Sequence, residues 1–160
     1  MTILSDRDLI NAMEDGQLKI RSFREENLTP NGYDLTIDEI YVSQSKTRVS
    51  DGRALIPPLS SFAVSTREFV EFGPALTAQL WIRSSWARKG IIASFGKIDA
   101  GFKGTLTLAG FNASPVDVEI SVGDTFAQMV LEQVTSEPQN LYGERTGHYQ
   151  GQRGLTLKRP

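Results

Sequence analysis

Val116-Asp117-Val118-Glu119-Ile120-Ser121-Val122 alternates aliphatic and polar side chains without a break. Successive side chains of an extended chain point to opposite faces, so this stretch has one apolar and one wet face, the signature of a half-buried β-strand. The same character extends outward along the chain. Leu35, Ile37 and Ile40 to Val42 alternate with polar residues, Ser61 to Val64 and Phe69 to Phe72 are short and β-rich, and Leu76 to Ile82, Thr105 to Leu108 and Phe126 to Val134 read as further strands. Turn signals separate them at Asp51-Gly52, Pro57-Pro58, Gly73-Pro74, Asn112 to Pro115 and Gly123-Asp124. Many short strands at this spacing predict an all-β fold, a distorted barrel or jelly roll. With no internal repeat and no linker, residues 1–160 form one domain.

Two segments depart from that pattern. Near the start, Ser5 is a good N-cap with Asp8 three residues on, Leu4 and Leu9 hold the staple positions, and Gly16 supplies a stop. This predicts a short N-terminal helix. At the other end, Tyr142 to Gly154 carries four glycines and two arginines with almost no aliphatic content. Such a segment cannot build a core of its own. It is either a frayed tail or a flap that orders over an anionic ligand.

Composition removes several kinds of chemistry. The 160 residues carry a net charge of −2, so no global basic field draws nucleic acid. Cysteine is absent and His148 is the single histidine, which excludes a thiolate zinc site, a multi-histidine cage and a cysteine nucleophile. The start is charged too early for a signal peptide and no run spans a bilayer, which makes the cytoplasm the expected location.

Three stretches can carry chemistry. Arg83-Ser84-Ser85-Trp86-Ala87-Arg88-Lys89-Gly90 follows a strand; a serine can cap a short helix there, and Gly90 can end it. With its hydroxyls, backbone N–H groups and arginine it is an anion site or a capped surface turn. In Gly96-Lys97-Ile98-Asp99-Ala100-Gly101-Phe102-Lys103-Gly104, Asp99 is a general base or a turn residue, and Phe102 stacks on a sugar or fills the core. In Pro30-Asn31-Gly32-Tyr33-Asp34-Leu35, Asp34 holds a hydrated Mg²⁺ or satisfies the turn. Gln128 is a ligand donor or a half-buried amide, and His148 reads as an exposed tail residue rather than a base.

Taken in order, these motifs resemble those of the trimeric dUTPase and dCTP deaminase family, most nearly its archaeal dCTP-deaminase-like dUTPases. Ile3-Leu4-Ser5-Asp6-Arg7-Asp8 is similar to the family's opening. The five motifs follow at Gly32 to Leu35, Arg83 to Arg88, Gly96 to Gly104, Gly123 to Gln128 and Tyr149 to Gly154. The resemblance covers residue 3 to about 156. The residues themselves predict a short helix after the second motif; the resemblance implies a homotrimer with active sites at subunit interfaces and a tail (142–160) that closes over an active site. It also implies roles: Asp99 activates water, Phe102 lies under the deoxyribose, and Arg83, Ser84, Ser85, Arg88, Gln128, Tyr149 and Gln152 bind substrate. Asp34 contacts Mg²⁺ through water.

Within that family, deaminases resemble Gly-x-x-x-Leu-Glu-x-x-Asn after the third motif. Here the stretch runs Gly104-Thr105-Leu106-Thr107-Leu108-Ala109-Gly110-Phe111-Asn112, with alanine in the glutamate position. Alanine moves no proton. The implied activity is Mg²⁺-assisted hydrolysis of dUTP to dUMP and pyrophosphate, with backbone groups in a hairpin around Ile98 to Gly110 reading uracil. Arg88 resembles the deaminase form of its motif, and His148 stands where deaminases usually have lysine. The alternatives are therefore a dCTP deaminase, mono- or bifunctional, or a catalytically silent nucleotide-binding trimer.

Overall fold

A computed structural model of the protein describes residues 2–145 and 147–158; of the expected tail segment, Thr146 and the last two residues, Arg159 and Pro160, lie outside the described residues. The fold is mostly β with short helices. In chain order the strands are β1 (Thr2–Ile3), β2 (Leu18–Arg21), β3 (Leu28–Thr29), β4 (Gly32–Val42), β5 (Thr47–Val49), β6 (Arg53–Ile56), β7 (Ser60–Thr66) and β8 (Phe69–Phe72). They continue with β9 (Leu76–Ile82), β10 (Ile91–Ile92), β11 (Lys97–Ile98), β12 (Lys103–Gly104), β13 (Thr107–Asn112), β14 (Val118–Ser121) and β15 (Thr125–Gln133). Helices α1 (Asp6–Glu14), α2 (Ser84–Ala87) and α3 (Tyr142–Arg145) interrupt them.

The main sheet runs β10-β13-β7-β4-β15-β9-β11, with β1 added to β15 and β3 and β5 to β4. Smaller sheets β12-β8-β2 and β14-β6 complete the curled half-barrel. Its interior is filled from both sides of β4. Tyr33, Leu35, Ile37 and Ile40 pack with Phe62 and Val64 of β7 and with Phe126, Met129 and Leu131 of β15, all essentially without solvent contact. Phe126 is the hub, with Phe62 edge-on at 5.8 Å and the rings of Trp86 and Phe95 at 6.0 Å. Each such side chain contributes about 1.5–3 kcal/mol of burial energy.

The N-terminal helix forms as its sequence requires. The Ser5 hydroxyl accepts the Asp8 N–H while the Asp8 carboxylate accepts the Ser5 N–H, a reciprocal capping box. Gly16, at φ +73°, follows the last turn. Leu4 and Leu9 are both buried.

Three local expectations are corrected. The alternating stretch from Val116 shortens to Val118–Ser121, and Val116 stays 62% exposed. Buried Asn112 is the cause: its amide donates to the carbonyls of Ile56 and Val116, and its oxygen accepts from the N–H and hydroxyl of Ser114, which fixes a turn. Thr105 and Leu106 are not part of β13. The Thr105 N–H donates to the Gln152 carbonyl in the tail, and the Leu106 N–H to the Thr66 hydroxyl. Finally, Ile98 to Gly110 is no hairpin, because β11 pairs with β9, β12 with β8 and β13 with β7.

One ionisable group is wholly interior. Glu68, fully buried, accepts the Thr36 N–H of β4 at 2.9 Å through Oε2, while Oε1 has no hydrogen-bond partner among the described residues. Burial raises its pKa above the usual 4.5, against the opposing effect of the Thr36 bonds. A carboxyl raised on folding contributes stability that is full below 4.5 and is lost as pH rises through the folded value. Glu68→Gln binds no proton there. Urea unfolding from pH 4.5 to 7 should show the wild type losing stability relative to Glu68→Gln as pH rises; parallel curves would remove Glu68 from the account.

Candidate active site

The third-motif residues come together around a cavity of about 360 Å³. Its lining includes Asp99, Phe102, Tyr149 and Gln152, along with Ala109. Asp99 follows β11, and its Oδ1 lies 3.0 Å from the Lys97 ammonium. The two residues are two apart on an extended segment, which places them on one side of the chain. Phe102 is buried and meets the ring of Tyr142 edge-on at 5.4 Å.

The tail is held against this motif in the same chain. The Gly151 N–H donates to the Lys103 carbonyl at 2.7 Å, and the Gln152 side chain donates to the Thr105 carbonyl at 2.7 Å. The Gln150 amide bridges Gly101 and Lys103. Gly104 makes the approach possible: at its φ of +158° a Cβ would lie 2.9 Å from the Phe102 ring and 3.2 Å from Gln152. Leu155, the aliphatic anchor beyond, is 7% exposed.

A second group sits elsewhere. Asp34 on β4, Gln128 on β15 and Arg83 at the end of β9 form a polar row, since Asp34 pairs with Gln128 across β4 and β15. Arg83 Nε donates to Asp34 at 2.9 Å and its other arm contacts the Thr125 hydroxyl. The Gln128 amide donates to the Thr29 hydroxyl at 3.1 Å and reaches Asp34 Oδ1 at 3.5 Å. Burial pushes the Asp34 carboxyl up from its ordinary value, and Arg83 and then Gln128 pull against that shift. Helix α2 begins here with Arg83 as N-cap and no side-chain cap bond, so the expected serine cap is corrected: Ser84 and Ser85 lie inside the helix, exposed. Arg88 is exposed too, and Gly90 at φ +86° follows the turn as expected. None of Asp34, Arg83, Ser84, Ser85, Arg88 or Gln128 lines the cavity of Asp99.

Among the described residues no three His, Cys, Asp or Glu side chains gather as a metal cluster. Asp34 offers a single carboxylate already paired with a guanidinium. That donor set fits a cation held mainly by another ligand's oxygens, and does not fit one caged by protein.

Over residues 3–134 the sequence matches the family described as dCTP deaminase-like. The chain belongs to that family. A dCTP deaminase of Pyrococcus horikoshii is 37% identical over 145 residues, 89% of this chain and 91% of the relative. A dCTP deaminase described as dUMP-forming, from Bifidobacterium adolescentis, is 32% identical over 98% of this chain and 93% of its own. Two solved structures share the fold. The 2'-deoxycytidine 5'-triphosphate deaminase of Agrobacterium tumefaciens superposes with a TM-score of 0.69 at 16% identity over 82% of this chain, which spans 48% of that longer one. A dUTPase from phage phi11 of S. aureus, a structure described as showing the coordination of a structural Mg(II) ion, superposes at 0.55 with 18% identity, covering 77% of this chain and 94% of its own.

This dCTP deaminase-like chain also carries site features beyond the motifs. Tyr142 lines the cavity, and its hydroxyl accepts the Tyr149 N–H at 3.1 Å. Nothing in a glycine-rich segment singles it out. Lys97, inside the third motif, was passed over too, although the Lys-Ile-Asp spacing on a strand, which pairs the first and third side chains, could have found it. Trp81, 63% exposed, lies opposite Gln128 across β9 and β15. No helix of the described residues is long and apolar enough to cross a membrane.

Arg83→Met removes the cation beside a buried carboxylate. We expect a loss of about 1–3 kcal/mol, the usual cost of stranding a buried acceptor. Chemical denaturation of Arg83→Met against the Asp34→Asn/Arg83→Met pair checks it: the second change should restore part of the loss.

Proposed function

We propose that the protein hydrolyses dUTP to dUMP and pyrophosphate. One observation carries this reading: among the described residues lining the cavity, Asp99 is the only carboxylate, and Ala109 stands on its wall where a deaminase of this family would hold a glutamate. Deamination of cytosine needs a group to move protons at the base. Hydrolysis at phosphorus needs a base only for the water. Asp99 takes a proton from a water whose oxygen attacks the α-phosphorus; the bond from that phosphorus to the bridging oxygen breaks, and pyrophosphate departs in line.

The cavity walls support a nucleoside occupant. Phe102, Leu106, Leu108 and Phe95 give apolar surface, and Gln152 and Ser94 give polar contacts. Strand β10 pairs with Phe111 and Asn112 of β13, so among the described residues Thr107 to Gly110 has no strand on that side. Backbone N–H and C=O groups there can meet the uracil edge, whose donor and acceptor pattern is the reverse of cytosine's. Mispairing a buried amide costs about 1–3 kcal/mol.

The phosphate-binding group of Arg83, Ser84, Ser85, Arg88 and Gln128 lies outside the cavity, and a homotrimer would supply it from a neighbouring copy. Tyr149 and Gln152 reach the substrate from the tail. Magnesium, when bound by the triphosphate, would neutralise charge on the leaving group, with Asp34 touching its hydration shell.

A second reading, deamination of dCTP with or without release of dUMP, is favoured by the names of the Pyrococcus horikoshii and Bifidobacterium adolescentis relatives. Purified protein, Mg²⁺ and either dUTP or dCTP separate the two. The first reading expects pyrophosphate and dUMP from dUTP, and no ammonia from dCTP; ammonia release would give the site to the second. Asp99→Asn should lower dUTP turnover by about 10²–10⁴-fold while nucleotide still binds in calorimetry. Near-normal turnover would remove Asp99 as the base.

A further inference from the structure

A second cavity, also about 360 Å³, backs onto the first, and the Lys97–Asp99 pair belongs to the lining of both. The first cavity is largely apolar and suits a nucleoside. The second is different: Arg145 and Lys97 bring two cations to it, and Asn140, Ser136 and Thr77 bring neutral polar side chains. Asp99 is the only carboxylate among its described lining residues, and Lys97 already neutralises it at 3.0 Å. The lining is therefore left with one uncompensated positive charge among its described residues, that of Arg145, and with the polar side chains of Asn140 and Ser136 beside it.

We propose that this second cavity binds a phosphate group, with the Arg145 guanidinium as its principal partner and Lys97 shared between the anion and Asp99. A guanidinium presents a fork of N–H donors that matches two phosphate oxygens, and an ammonium adds a point charge. The Thr77 hydroxyl already donates to the Ile98 carbonyl at 2.6 Å, so it faces the cavity as an acceptor and takes no part in holding the anion. An anion here draws the Lys97 ammonium away from Asp99. The binding site itself is independent of which base the enzyme accepts; its coupling to catalysis rests on the reading of Asp99 as the base.

Calorimetric titration of the full chain with inorganic phosphate and with pyrophosphate, in a chloride buffer without substrate, tests the site. Arg145→Met should weaken binding at least about fivefold. Asp99→Asn, which removes the competitor for Lys97, should tighten it. Arg53→Met, at an exposed ion pair with Glu119 outside this lining, should leave it unchanged. Prior saturation with dUMP or with a non-hydrolysable imido analogue of dUTP identifies the source. Blocking by the analogue alone assigns the cavity to the terminal phosphates of nucleotide, and blocking by neither assigns it to a free anion. Absence of phosphate binding, or binding indifferent to Arg145→Met, would overturn the proposal. Because these titrations involve no turnover, they stand even if Asp99→Asn proves active and the hydrolytic reading falls.

Discussion

Strand β4 has to lie between β7 and β15 with almost nothing of its first half exposed, and most of the molecule follows from that. Residues Gly32 to Ile37 are all buried. At Gly32 the neighbouring strand comes so close that a Cβ would sit 2.5 Å from the Met129 carbonyl oxygen, so only glycine fits. The strand carries two polar residues inward with it. Asp34 is answered by Arg83 and Gln128, and Thr36 by Asn27 and Glu68. Buried polar groups are costly without partners, so these contacts bind β4 to β9, β15 and the loop before β8. The residues that read as phosphate or metal contacts are thus also part of what holds the sheet in register.

The two polar groups differ in electrostatic character. Around Asp34 a carboxyl is sunk in the fold and compensated by a guanidinium, which suits a fixed element that orients a ligand. Asp99 is 44% exposed and held, among the described residues, by Lys97, itself 59% exposed. A surface pair of this kind is weak and easily exchanged. On the proposed reading of Asp99 as the base, such a loose partner leaves the carboxylate available to a water, and the apolar walls beside it replace bulk water once a ligand fills the cavity.

Much of the fold was legible along the chain. The capping box at Ser5 and Asp8, the stop at Gly16 and the end of α2 at Gly90 are local effects, fixed by residues a few positions apart. Strand β4 announced itself through its alternation, β7 and β8 through their β-rich composition, and β9 and β15 as further apolar runs between turn signals. Errors fell where a distant group intervened: Asn112 turns Val116 out of its strand, Gln152 and Thr66 claim the backbone of Thr105 and Leu106, and Ile98 to Gly110 is divided among three partner strands. Each involves partners well outside the local stretch, or a buried side chain whose partners no local pattern reveals.

By itself, the sequence determined the β class, the ends of its N-terminal helix, the third-motif cluster of Asp99 and Phe102, and the alanine at position 109, because these depend on residue type and short-range geometry. Only the tertiary structure decided that the tail lies along Lys103 and Thr105 of its own chain, that Tyr142 closes on Phe102, and that Arg83, Gln128 and Asp34 stand apart from the cavity of Asp99. It also revealed the second cavity behind the Lys97–Asp99 pair. These are facts about which backbones meet, and that is set by packing the whole apolar interior around β4, an outcome to which nearly every buried residue contributes and which no single stretch encodes.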